Sequence, residues 1–96
     1  KVTKKMPREY RFELGSQLLR SGSSIILNIA EGSGKQSEKE LNRFIETALG
    51  SSYETLANLD ILQSNGLIEK KDFDASQQII VDICSQLGAF KKKLNL

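Results

Sequence analysis

From Leu41 to Leu62 the chain places Leu41, Ile45, Ala48, Ser52, Thr55, Leu59 and Leu62 at steps of four and three without a break. That spacing puts all seven on one side of an α-helix and does not suit a strand, whose faces alternate every second residue. Phe44 and Leu56 widen the stripe into the heptad-like seam of a helical bundle. Ser37, followed three residues later by Glu40, is a capping box that starts the helix. Asn65-Gly66 supplies residues that tolerate a left-handed C-terminal conformation. At a rise of 1.5 Å per residue, a helix from 38 to 64 is about 40 Å long.

Two further segments follow the same grammar. Phe73, Ile80, Leu87 and Leu94 lie seven apart, with Ser76, Ile83 and Phe90 as the interleaved row. Glu69, Asp72 and Asp74 open this segment and Lys91, Lys92 and Lys93 close it, which suits the helix dipole. The connection from Asn65 to Ile68 is short, so the second and third helices should form an antiparallel hairpin. The first segment begins at Pro7, suited to an opening helical turn, and is expected to turn Leu14, Leu18, Ile25, Ile26 and Ile29 inward. Gly15, Ser16 and the run Ser21-Gly22-Ser23-Ser24 thin its middle, which points to another backbone passing close by. The β-branched stretch around Ile25 and Ile26 is the one place where local preference is ambiguous. Helices are therefore predicted from about 8 to 31, 38 to 65 and 69 to 94, in one all-α domain spanning residues 1–96.

Composition narrows the function classes. A chain of 96 residues with 39% hydrophobic and 27% charged residues has the balance of a soluble globular domain. No apolar run approaches the roughly 18 residues of a spanning helix, and Lys1 to Lys5 lacks the apolar core of a signal peptide. A cytoplasmic protein without a membrane partner is expected. Cys84 is the only cysteine and there is no histidine, which removes internal disulfides, the usual Cys/His zinc sites and His-based triads. No metal or other cofactor is expected. Cys84 falls beside Ile80, Ile83 and Leu87 and reads as a buried structural thiol. Ser16, Ser51 and Ser52 lack an identifiable base and read as small packing residues rather than nucleophiles. Tyr10 and Phe12, near the basic start, are of a type that stacks on nucleobases, although Phe12 reads better as core or interface.

The stretch Asn28-Ile29-Ala30-Glu31-Gly32 sits where the first apolar run stops. Asn28 and Glu31 share a helix face, so a small polar site with Glu31 as acid or base is geometrically conceivable. No second carboxylate, metal-ligand cluster or phosphate loop accompanies them, and Gly32-Ser33-Gly34 is far from a P-loop. A structural corner is the better reading. Gly32 is expected to end the helix in a left-handed conformation, with Asn28 and Glu31 satisfying backbone or neighbouring polar groups.

Several linked features carry a family resemblance: Gly15-x-Gln17-Leu18-x-Arg20, then Ser24-Ile25, Asn28 to Gly32, Phe44, Ala48-Leu49-Gly50-Ser51 and Glu54. In this order and spacing the chain resembles, over essentially its whole length, the four-helix-bundle proteins encoded in intervening sequences of bacterial 23S rRNA genes. The resemblance implies an antiparallel up-and-down four-helix bundle, assembly into a homo-oligomeric, ring-like pentamer, and binding of RNA or DNA without an enzymatic activity. Family members carry about one further helix upstream. Residues 2–7 look like only its closing turn, so the first helix is expected to be truncated or missing here, leaving an apolar groove that favours self-association. Where the family tends to have Pro, this chain has Ile26 or Leu27, and it lacks a second basic residue near Leu19.

Charge is polarised along the chain. Residues 1–20 hold six basic and two acidic side chains, residues 21–90 five basic and ten acidic, and the tail adds Lys91, Lys92 and Lys93. The antiparallel arrangement is expected to bring the start of the first helix and the end of the third to one end of the bundle, merging the clusters. Lys4, Lys5, Arg8, Arg11, Arg20, Lys91, Lys92 and Lys93 are the candidate phosphate contacts, Arg20 having a possible intersubunit role instead. The alternatives are a scaffold that docks a protein partner with its basic end merely solvated, and, more remotely, an enzyme with a polar pocket around Asn28 and Glu31.

Overall fold

The computed structural model describes residues 8–35 and 37–94. It contains three helices, α1 (Arg8–Ser33), α2 (Glu38–Ser64) and α3 (Lys70–Leu94), and no strand among the described residues. The predicted bounds agree within two residues at each end. Pro7 and the residues before it lie outside the described part.

The helix ends follow from local chemistry. Ser37 caps α2 in an extended conformation, its hydroxyl accepting from the Glu40 N–H at 3.0 Å. At the other end Gly66 takes a φ of 69°, Leu67 N–H donates to the Leu62 carbonyl at 2.9 Å, and Gly66 N–H donates to Gln63 at 3.0 Å. These two bonds form a Schellman motif, which absorbs carbonyls that a helix terminus otherwise leaves unpaired. Glu69 starts α3, its carbonyl accepting from Phe73 N–H at 2.9 Å.

Helix α2 is the middle element. Both α1 and α3 pack along it, while α1 and α3 scarcely meet. The predicted α2 stripe holds: Ile45, Ala48, Ser52, Thr55, Leu59 and Leu62 are buried and Leu41 is half-buried. The α3 side of α2 is an apolar core, with Ile45, Ala48 and Leu87 at its centre and Leu41, Leu49 and Ile83 packed against it. Phe73 is buried as the α3 periodicity requires, whereas Phe90 is 40% exposed. Cys84 is half-buried rather than buried, because α3 has a neighbour on one side only.

The α1 side of α2 is built differently. Ser21 accepts hydrogen bonds from Thr55 Oγ1 at 3.0 Å and Asn58 Nδ2 at 3.2 Å, and its own hydroxyl donates to the Leu18 carbonyl. Ser24 and Ser51 share a 2.7 Å hydroxyl contact, and the Asn58 amide also reaches the Gln17 carbonyl at 3.3 Å. Small side chains bring the two helices together here, as the Gly/Ser-rich middle of α1 suggests, but the serines make the approach. A Cβ at Gly15 or Gly22 would meet nothing within 4 Å.

The inward set of α1 needs correction. Ile25 is buried and Leu14 and Leu18 are half-buried, but Ile26 is 68% and Ile29 37% exposed. Five apolar positions spread over too wide an arc for one neighbouring helix to cover. Phe12, expected in a core or interface, is 77% exposed in this single chain.

The hydroxyl ladder and the caps give two measurable expectations. Replacing Ser21 by Ala removes the hydroxyl that Thr55 and Asn58 both reach, leaving Thr55 its 2.7 Å bond to the Ser51 carbonyl and Asn58 its 3.3 Å bond to the Gln17 carbonyl, and should lower unfolding free energy by about 1 kcal/mol in urea titration. Ser33→Ala, which removes only an exposed bond to Ile29 of the same helix, should change it by less than about 0.5 kcal/mol. Loss of the Ser37 cap in Ser37→Ala should cost about 1 kcal/mol by the same assay.

Candidate nucleic-acid interface

Two reversals of direction leave α3 parallel to α1. Early α1 meets late α2 through Gln17 and Asn58, and late α3 meets early α2 through an ion pair of 3.2 Å between Lys91 and Glu46. The start of α1 and the end of α3 therefore lie at opposite ends of a molecule 49 Å in its longest dimension. The expected merger of the two basic clusters does not occur. An even number of reversals returns a chain to its original direction, so the C-terminal end of α3 joins the C-terminal end of α1.

At that end Lys91, Lys92 and Lys93 occupy the last turn of α3, where they complement the negative pole of the helix dipole. Lys91 is half-buried and engaged by Glu46, while Lys92 and Lys93 are exposed and make no ion pair among the described residues. Gln86, Ala89 and Phe90 border an open hollow of about 700 Å³ with Lys92 and Lys93. The α1–α2 corner brings Lys35, Lys39 and Arg43 to the same end. Lys35 sits over the Phe44 ring, 5.3 Å from its centroid. Six basic side chains thus face four acidic ones here: Glu31, Glu38, Glu40 and Glu46. Sequence reasoning missed Lys35, Lys39 and Arg43 as members of the cluster; counting helix reversals would have found them.

At the opposite end Arg8 and Arg11 are exposed in the first turn of α1. The acidic start of α3 lies there too. Arg8, Arg11, Lys70 and Lys71 are outnumbered by Glu9, Glu13, Asp60, Glu69, Asp72 and Asp74, so the described part of this end is acidic. Lys70 is further held by Asp74 at 2.9 Å. Lys4 and Lys5 lie outside the described residues. Arg20 is exposed half-way along α1, remote from both ends.

The Asn28 corner is built around packing. Asn28 Nδ2 donates to the Ser24 carbonyl at 2.8 Å and to Ser24 Oγ at 3.1 Å, closing a local network that continues to Ser51. Glu31 is exposed. Gly32 does not end α1 in a left-handed conformation: it is helical and buried, and α1 runs on to Ser33. Its missing side chain serves another purpose, because a Cβ there would stand 3.0 Å from Phe44 Cβ and 3.1 Å from Leu41 Cδ1. The turn is closed by Gly34 N–H to the Glu31 carbonyl and Lys35 N–H to the Gly32 carbonyl. Ser52 is fully buried with its hydroxyl bonded to the Ala48 carbonyl, and Ser51 is tied to Ser24.

A family model described as 23S rRNA-intervening sequence protein matches residues 1–89. The chain belongs to this family. No curated protein and no solved structure matches it significantly. The features that carry the resemblance occupy the contacts just described: Ser24 and Asn28 on the α1–α2 network, Gly32 under Phe44, and Ser51 opposite Ser24. No helix among the described residues is long and apolar enough to cross a membrane.

Gly32→Ala should lower stability by about 1–3 kcal/mol, the usual cost of overpacking. Gly34→Ala, whose added carbon would meet only the Glu31 carbonyl at 3.7 Å, should be far milder. Thermal unfolding followed by circular dichroism separates the two.

Proposed function

We propose that this member of the family is a non-enzymatic, homo-oligomeric helical-bundle module of the cytoplasm that binds RNA or DNA through the basic end formed by α3 and the α1–α2 corner. The observation that supports it best is the exposed Lys92–Lys93 pair, unpaired by acid among the described residues and backed by Lys35, Lys39 and Arg43. Lysines of this kind grip phosphate and supply affinity rather than base specificity. Arg8 and Arg11 would form a separate and weaker contact at the other end, and Lys4 and Lys5, outside the described residues, are further candidates for phosphate contact. A ring-like pentamer repeats the basic end five times over, which makes phosphate binding effective even where one subunit is weak.

The bundle itself is read as completed by a fourth helix. Between α1 and α3 runs an open, mainly apolar groove of about 630 Å³, lined among others by Gly15, Leu18, Gly22, Ile26, Ile79 and Ile80. Gly15 and Gly22 leave room for a helix backbone to approach closely there. The commitment of Asn28, Ser51 and Ser52 to internal hydrogen bonds favours a structural over a catalytic role for the polar residues of α1 and α2.

Fluorescence-anisotropy titration of a structured RNA and a duplex DNA over a salt series tests the proposal. Affinity should fall steeply with salt. Joint reversal of Lys91, Lys92 and Lys93 to Glu should weaken binding to all sequences alike. For duplex DNA it should also reduce the slope of log K against log salt by about 0.9 for each phosphate that is no longer neutralised. Unchanged affinity would remove α3 from the interface. An intact oligomer that binds neither nucleic acid at low salt would favour a scaffold that docks a protein.

A further inference from the structure

Helix α1 is apolar around more of its circumference than the three-helix packing uses. Besides its α2 face and its groove face, a third strip runs through Phe12, Ser16, Leu19, Ser23 and Leu27 at steps of four, three, four and four. It lies about half a turn from Ser21 and Ile25, which meet α2. Phe12, Leu19 and Leu27 are 77%, 72% and 64% exposed. Ser16, Leu19, Arg20, Ser23 and Leu27 are among the residues around a hollow of about 520 Å³. Large rims around a serine floor make the kind of hole that accepts a side chain from a facing helix. An exposed apolar strip of this length marks an interaction surface.

Helix α2 carries a second unused strip, Gly50, Tyr53, Ala57 and Ile61, at steps of three, four and four. Tyr53 is 61% and Ile61 40% exposed, and a Cβ at Gly50 would meet nothing within 4 Å. The two strips differ in charge. Between residues 14 and 30 the only charged side chain is Arg20; between 44 and 64 the charged side chains are Glu46, Glu54 and Asp60.

We infer that these strips are the two halves of one contact between copies of this chain: the outer face of α1 seats on the outer face of α2 of a second copy, with Arg20 against that copy's Glu54. The inference rests on the homo-oligomeric reading and assigns its surfaces. Pairing the α1 strip with itself is unfavourable. Arg20 lies midway along the strip and on its flank, so antiparallel self-pairing sets it opposite its own copy, and juxtaposed like charges oppose association. Against α2 the same guanidinium meets acid. Contact between two different surfaces is heterologous, the geometry from which rings close.

Light scattering on the wild-type chain, Arg20→Glu, Glu54→Arg, Leu27→Glu and an equimolar mixture of the two charge variants tests this. The wild type should be an oligomer. Each single variant should dissociate at a protein concentration at least tenfold higher, with helix content unchanged by circular dichroism. Mixing Arg20→Glu with Glu54→Arg should restore mass above either alone, because each mixed contact again joins opposite charges; a contact within one chain gives no such rescue. Oligomers of unchanged mass in Arg20→Glu and Leu27→Glu would overturn the assignment and leave homo-oligomerisation standing. Dissociation without rescue on mixing would overturn the pairing of the two strips. A wild type that is monomeric throughout would overturn the oligomeric reading itself.

Discussion

The close approach of α1 to α2 is the contact on which the rest of the molecule depends. Ser21, Ser24, Ser51 and Thr55 put small, hydrogen-bonding side chains where a conventional core has leucines, and Asn58 spans the gap to Ser21 and the Gln17 carbonyl. An apolar seam tolerates sliding by a turn; a ladder of paired donors and acceptors does not, since a slip leaves several buried groups without partners. The register of α1 on α2 is fixed by this ladder. Fixing it also decides which parts of α1 remain uncovered.

Those uncovered parts are unusually apolar. With Ser21 and Ile25 turned to α2, Ile26 faces the groove toward α3, and Leu19 and Leu27 face outward. The three helices leave α1 apolar on more sides than its one close neighbour covers. The groove and the outer strip lie side by side on α1, with Leu19 and Ser23 on the ridge between them. Helix α3 divides its apolar residues too: Leu87 and Ile83 pack on α2 around Ile45 and Ala48, whereas Ile79, Val81 and Phe90 are exposed.

Chain direction governs the electrostatics. Three helices reverse twice, so the lysine-rich end of α3 stands with the α1–α2 corner, and the arginines of early α1 stand with the acidic start of α3. Among the described residues one end is thereby basic and the other acidic, a division that linear clustering along the sequence does not reveal. Glu46 holds Lys91 in place at the cost of part of its field, and leaves Lys92 and Lys93 as the outward-facing charge.

Much of this architecture was written locally. Helix limits follow from a capping serine at 37, a left-handed glycine at 66 and an unbroken four-three repeat between them, because hydrogen bonding and side-chain periodicity within a helix need no distant partner. The α2 stripe was legible for that reason. The sequence by itself could not say that Ile26 and Phe12 lie exposed, that Gly32 is helical and pressed against Phe44, or that the two basic clusters part company. Those outcomes depend on how many neighbours a helix has and which way each one runs. Apolar spacing states that a face seeks burial; only the tertiary structure decides whether a neighbour arrives to bury it, since burial is a property of pairs of surfaces rather than of one chain segment.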